Sequence, residues 1–417
     1  MSPPRRLRLF EAYGIELEYM IVDRATLDVR PIADKLLEAV AGEIVSEVEV
    51  GEAAWSNELA LHVIELKTNG PAPRLEPLPG VFDEAVFAAN RLLEPLGARL
   101  LPGGMHPWMD PIAEMRIWPH ESSPVYAAFD RIFDCRGHGW ANLQSVHLNL
   151  PFGDDEREDG EFARLHAAVR AVLPILPALA ASSPVAAARP SGFADTRLEV
   201  YRTNSLRVPS VAGELVPERV FTRRDYEERL LGKIYADMAP LDPEGVLRHE
   251  WCNARGAIAR FDRSAIEIRL LDVQECPRAD LAISALISDV VEALANARWL
   301  DLERLKALEV EPLARILRDA IREGERVAIG DRDLLAAFGV AEACTGGELW
   351  ARLADGVWPR GSAREAAWRP QIDVILREGS LSSRLGRALG AEPSRGRLRE
   401  VYGELADCLA EGRMFVT

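Results

Sequence analysis

Residues 12–22 read AYGIELEYMIV. Ile15, Leu17 and Tyr19 alternate with Glu16 and Glu18, the period of two expected of a half-buried strand. One face is core, and the other presents two carboxylates side by side. Taken alone, the pair fits a solvated face on an edge strand or a set of hard oxygen ligands for Mg²⁺. The alternation returns at QSVHLNL (144–150) and at SAIEIRLLD (264–272). In the first, Val146, Leu148 and Leu150 oppose Ser145, His147 and Asn149. In the second, Ile266, Ile268 and Leu270 oppose Glu267 and Arg269.

Between these strands the spacing of apolar residues predicts helices over 31–44, 82–93, 122–135 and 162–181. Further strands are expected at 45–50, 59–66 and 257–261. Residues 182–222 are rich in Ser, Pro, Gly and Arg and read as long, ordered loops, a frequent home of function. Beyond Arg278 the pattern is helical, over 279–300, 302–322, 332–338, 346–353, 364–376 and 395–410. Strands with interspersed helices, followed by helices alone, make an α+β fold. The expected division is a catalytic unit over 1–278 and a helical region over 279–417 packed on it.

Composition narrows the function. The 417 residues are 48% hydrophobic and 28% charged, enough apolar matter for a core. Acidic residues number 66 against 50 basic ones, a formal net charge of -16, unsuited to a nucleic-acid backbone. No run of about 18 apolar residues predicts a membrane span. The twin arginine near the start is followed by no apolar stretch, so no signal peptide is expected. Cys135, Cys252, Cys276, Cys344 and Cys408 are scattered, which fits a reducing cytoplasm better than a disulfide framework. Only Lys35, Lys67, Lys233 and Lys306 are lysines, and no GxxxxGK occurs. A bound nucleotide would therefore rest on metal ions and arginines.

The remaining acids fall beside core residues. In SNELALHVIELKTNGP (56–71), Glu65 shares a face with Val63 and Leu61, where a carboxylate needs a partner. Glu58 lies seven residues earlier, so on a regular strand the two face opposite ways. They converge only if Glu58 sits in a turn or a bulge breaks the period. His62 fits a structural role. His147 suits either a hydrogen-bonded structural group or a metal ligand. Glu267 and Arg269 suit either a cross-strand ion pair or a metal-plus-phosphate site. Together, five carboxylates and a histidine among core strands call for neutralising cations.

The ordered set GIELEYMIVD, NELALHVIELKTNGP, LLPGGMHPWMD, QSVHLNLPF, SSPVAAARPSGFADTRLEVYR and SAIEIRLLDVQECP resembles the glutamate–cysteine ligase superfamily, and most closely its second family of carboxylate–amine ligases. That resemblance implies a glutamine synthetase-like fold, with a curved, mainly antiparallel sheet forming a funnel. It implies an ATP-dependent ligase that forms an amide, including a gamma-glutamyl amide, through an acyl phosphate. It implies ATP with Mg²⁺ or Mn²⁺, and small carboxylate and amine substrates such as amino acids. By position, Glu18, Glu58 and Glu65 match one metal-binding set, and Glu16, His147 and Glu267 the set that meets the ATP phosphates. Arg269 and Arg197 match groups that steady the phosphoryl group or the substrate carboxylate, and Arg255 in WCNAR matches a nucleotide-site arginine. The loop holding His106 resembles a family turn. Departures fall at Met105, Cys252 and Gly256, and within SVHLNLPF (145–152). These are positions expected to shape the substrate pocket, so the resemblance speaks to the reaction more than to its substrates.

Two other readings fit the same residues: a metal-dependent hydrolase that needs no ATP, and a catalytically idle member that serves as a binding protein. The sequence is compatible with a homo-oligomer and gives no nucleic-acid or membrane partner.

Overall fold

A computed structural model describes residues 6–416. Its centre is β1 (Gly14–Asp23), the strand whose alternation opens the sequence. β2 (Glu47–Val50), β3 (Ala53–Asn57), β4 (Val63–Thr68), β5 (Ala98–Leu101) and β6 (Ser145–Pro151) follow. A short hairpin, β7 (Val185–Ala186) and β8 (Arg189–Pro190), lies outside the main sheet, which β9 (Ala257–Arg260) and β10 (Ala265–Asp272) complete. The sheet has eight strands in the order β2-β3-β4-β1-β6-β10-β9, with β5 on the far half of β1. Every pairing in it is antiparallel. It is open, with β2 and β9 at its edges.

Alternation gives the sheet two unlike faces. Ile15, Leu17, Tyr19, Leu66, Val146, Leu148, Ile266 and Ile268 belong to one large core with the helices Leu78–Leu93, Glu161–Val172 and Pro277–Ala295. The last helix is apolar nearly all round and buried, so it lies inside the molecule rather than on its surface. The opposite face carries the acids at one end. At the other end Met20, Val22 and Leu101 form a second core with Leu385, Leu398 and Leu405 of the helices Leu381–Leu389 and Arg395–Glu411.

Some elements differ from expectation. The strand expected over 59–66 begins only at Val63, and β3, which precedes the intervening turn, was not anticipated. AAWSN has no apolar–polar alternation because four of its five residues are buried. The helix expected over 302–322 breaks into Leu302–Lys306 and Val310–Glu323. Helix Leu381–Leu389 and β5 were also unforeseen.

Three core histidines each weaken the fold in acid. Burial holds His62 and His166 down to about 3 and His106 to about 4. An unfolded histidine takes a proton below about pH 6.5. At these three positions the unfolded state therefore takes up protons that the fold refuses as pH falls from about 6.5 towards 4, and their contribution to stability drops. Each such histidine contributes a slope of about 1.4 kcal/mol per pH unit. His166 stacks on Phe162 at 5.3 Å and meets the edges of Phe221 and Tyr226. His166→Phe is expected to flatten the fall by about that slope, as read by urea unfolding at a series of pH values. An unchanged slope would contradict this account.

Candidate active site

Strand register assembles the acids. Glu18 on β1 pairs with Glu65 on β4, which pairs with Ser56 on β3. Glu16 pairs with Lys67 on one side and His147 on the other. Asn149 pairs with Glu267. Glu58 follows the last residue of β3, so it lies in the turn that lets it swing to the same side as Glu65. Single ligand atoms of Glu18, Glu58 and Glu65 fall within 4.8 Å of one another, and so do those of Glu16, Glu65 and His147. Glu65 belongs to both groups. Glu267, expected with Glu16 and His147, is not in either group.

The hydrogen bonds order this cluster. The Ser145 backbone N–H and hydroxyl both donate to Glu18 Oε2, at 2.6 and 2.9 Å. His147 Nδ1 lies 2.7 Å from Glu16 Oε2 and its Nε2 lies 3.1 Å from Ser145 Oγ. Burial opposes a charge on His147, but the Glu16 hydrogen bond and the charges of Glu18, Glu16 and Glu267 outweigh it and raise the imidazole to about 9. Burial would likewise raise Glu16, yet His147, with Lys67 and Arg263, holds it at about 2. Ser56 donates to Glu65 Oε1 at 2.7 Å, and Lys67 Nζ stands 3.3 Å away. Burial and the Glu16 charge still push Glu65 up to about 7. Glu58 is raised well above the usual carboxylate range, by burial and then by Glu18 and Glu65. Its carboxylate has no ion pair among the described residues. Carboxylates crowded this closely, with one left unpaired, fit a divalent cation with hard oxygen ligands.

The arginines part company. On β10 the register shifts between Ile268 and Leu271. Arg269 lies beside Glu267, and the bulge re-aims Asp272, which comes opposite Ser145 on the site face. Regular alternation would have put Leu271 there. Glu267 accepts from Arg260 Nη1 at 3.1 Å, and Arg269 Nε lies 3.1 Å from its other oxygen. That approach is not aligned as a hydrogen bond, so Arg269 Nε stays without one. Arg197 is buried, and its Nε donates to Asp272. Asp272 also accepts from the Ser182 N–H and the Ser183 hydroxyl, each at 2.8 Å. A side chain at Gly104, within the GGMHPW loop, would overlap that carboxylate. His106 Nε2 bonds the Leu27 carbonyl at 2.7 Å and so anchors the same loop. Arg255 is turned onto Glu218 through two bonds of 2.6 Å, and its Nη1 donates to the Ser210 carbonyl at 3.0 Å. It does not line the cavity, so the nucleotide role expected of it finds no support in its contacts. Arg260 and Asp272 were not anticipated. Arg260 sits in a strand with no polar alternation, and the bulge hid Asp272.

Two cavities meet the acids. One, of about 420 Å³, opens on Glu18, Glu58, His147, Arg197 and Arg269. The other, of about 360 Å³, opens on Glu16, Lys67, Asn149 and Arg263. The acid cluster thus stands where two separate molecules can approach a common centre.

Comparison with known proteins places this arrangement. The family model described as glutamate–cysteine ligase family 2 (GCS2) matches residues 12–404. An uncharacterized protein of Archaeoglobus fulgidus is 31% identical over 404 residues, spanning 97% of this chain and all of that one. A Leifsonia xyli protein named "Putative glutamate--cysteine ligase 2" is 26% identical over 96% of both chains. Among solved structures, the fold is similar to that of glutamate–cysteine ligase from Francisella tularensis in complex with AMP. The TM-score is 0.57 at 10% identity, over 97% of this chain and 89% of that one. Sheet, acid cluster and family match agree, and the chain belongs to glutamate–cysteine ligase family 2.

Proposed function

We propose that this protein is an ATP- and Mg²⁺-dependent carboxylate–amine ligase that forms an amide bond through an acyl phosphate. The observation that carries the reading is the convergence of Glu16, Glu18, Glu58, Glu65 and His147 into two ligand groups joined at Glu65, between two cavities. Glu18, Glu58 and Glu65 would hold one Mg²⁺ or Mn²⁺, and Glu16, Glu65 and His147 a second. Bound there, the cations would offset the charge of a triphosphate meeting a carboxylate.

The chain's own groups do the rest. Glu16 and Lys67 face the second cavity, the side from which the triphosphate is assigned to approach. Arg269 and Arg197 face the first, where a substrate carboxylate can lie. The carboxylate oxygen attacks the terminal phosphorus and ADP leaves. The amine then attacks the acyl carbon, and inorganic phosphate leaves. Arg269 supplies a guanidinium to the oxygens that gain charge in the first step. Arg197, fixed by Asp272, and Glu267, fixed by Arg260, position it. In this reading residues 1–278 are the catalytic unit, and the helices of 279–417 complete its core. Among the described residues no helix is long and apolar enough to cross a membrane.

A phosphate-release assay over a panel of acids and amines tests the proposal. Release is expected only with ATP, a divalent cation, an acid and an amine together. Amide or ester cleavage without ATP, read by chromatography of the products, would replace the ligase by a hydrolase, and no turnover with any pair would leave a binding protein.

A further inference from the structure

The cavity on the Glu18 side carries two kinds of lining. Its charged groups are Glu18, Glu58, His147, Arg197 and Arg269. Its aromatic and apolar wall is built from Tyr126, Phe129, Trp140, Leu143, Val211 and Trp251. The rings form one surface: Phe129 lies 5.3 Å from Trp140 and 5.9 Å from Trp251, centroid to centroid. Tyr126 is held by Asn57 Nδ2, which donates to its hydroxyl at 3.1 Å. Trp140 Nε1 donates to the Asn204 carbonyl at 3.0 Å, which fixes the indole plane. No Lys, Arg, Asp or Glu lines that wall. Tyr201 and Asn204 also line the cavity, each with one buried polar atom, the Tyr201 hydroxyl and Asn204 Oδ1, that has no hydrogen-bond partner.

A small zwitterion such as cysteine can be paired by Glu18, Glu58, Arg197 and Arg269, but it leaves the rings uncovered. An aromatic or bulky apolar group would cover the same rings favourably. We propose that this cavity takes a substrate with an aryl or bulky apolar end, seated on Phe129, Trp140 and Trp251, whose reacting end meets the acids and Arg269. The inference rests on the ligase reading and names the class of one of the two substrates, whether acid or amine.

The test separates binding from turnover. Calorimetry with Mg²⁺ present would compare 3-phenylpropanoate and phenethylamine with glutamate and cysteine. At least one aryl compound is expected to bind about tenfold more tightly than either amino acid. Which one binds identifies the substrate that carries the ring. Trp251→Ala is expected to weaken that binding about tenfold, the scale of one lost aromatic contact with the area it covers. Trp140→Leu gives a second reading if Trp251→Ala does not fold. Equal or tighter binding of the amino acids, or aryl binding indifferent to both variants, would overturn the proposal. Turnover is read separately, as ATP-dependent phosphate release with each acid–amine pair. Release with glutamate and cysteine but no aryl binding would keep the ligase and overturn the aromatic seat. Aryl binding lost in Trp251→Ala, with no release from any pair, would keep the seat and overturn the ligase.

Discussion

Glu65→Gln is expected to abolish turnover while making the metal-free protein more stable. Glu65 is the vertex shared by both ligand groups, so its loss weakens two cation sites at once. Removing several kcal/mol of charge stabilisation from phosphoryl transfer slows it on the order of 10³-fold. Stability moves the other way. Burial and Glu16 hold the Glu65 carboxyl at about 7 in the fold, above its ordinary 4.5. Between those values the folded state keeps a proton that the unfolded state has lost, so stability falls as pH rises through the window. At pH 8 the cost is on the order of 3 kcal/mol. The amide carries no charge and can still accept from Ser56. Lys67 keeps its pair with Glu47 at 2.7 Å. The melting temperature of Glu65→Gln without divalent cations should therefore exceed that of the native protein at pH 8. Added Mg²⁺ should raise the native melting temperature by mass action and leave the variant's nearly flat. A variant that keeps the native response to Mg²⁺, or that melts far below the native protein without it, would remove Glu65 from the centre of the site.

What could be read from the sequence follows from range. Alternation is local, so β1, β6 and β10 and the side on which they carry Glu16, Glu18, His147 and Glu267 were legible. The seven-residue gap between Glu58 and Glu65 was legible as a conflict, and the turn after Asn57 resolves it. Features that depend on an interruption or on distant partners were hidden. The bulge shows in the sequence only as Leu270 and Leu271 side by side, and by strict parity Asp272 falls on the core face. Arg255 could be matched to a motif, but only the fold shows Glu218 waiting for it. The aromatic wall comes from three separate stretches, and nothing in any one of them marks the ring positions as a surface. The second core, between the far half of β1 and the last two helices, was hidden for the same reason.

Arg269 poses the question of catalysis against architecture most directly. Its guanidinium lies beside Glu267 and in the field of Glu18 and Glu16, which, against the cost of burial, keeps it firmly charged. Its backbone N–H donates to the Gly256 carbonyl at 2.9 Å, and its own carbonyl accepts from Arg197 at 3.5 Å. The main chain is thus held without help from the side chain, and Glu267 retains Arg260 if the side chain is lost. Arg269→Ala should therefore fold, with a modest loss of melting temperature. Its kcat should fall by about 10²-fold, since one preorganised donor to developing charge is worth on the order of 3 kcal/mol. Arg269→Lys restores the charge but not the planar fork, so it should recover only part of the rate. If the side chain serves only to pair with Glu267, the pattern inverts: Arg269→Ala melts early, kcat per folded molecule stays near the native value, and Lys repairs the stability. Melting temperature and kcat measured on both variants separate the two roles, because a purely architectural arginine cannot leave a stable protein that turns over a hundredfold more slowly.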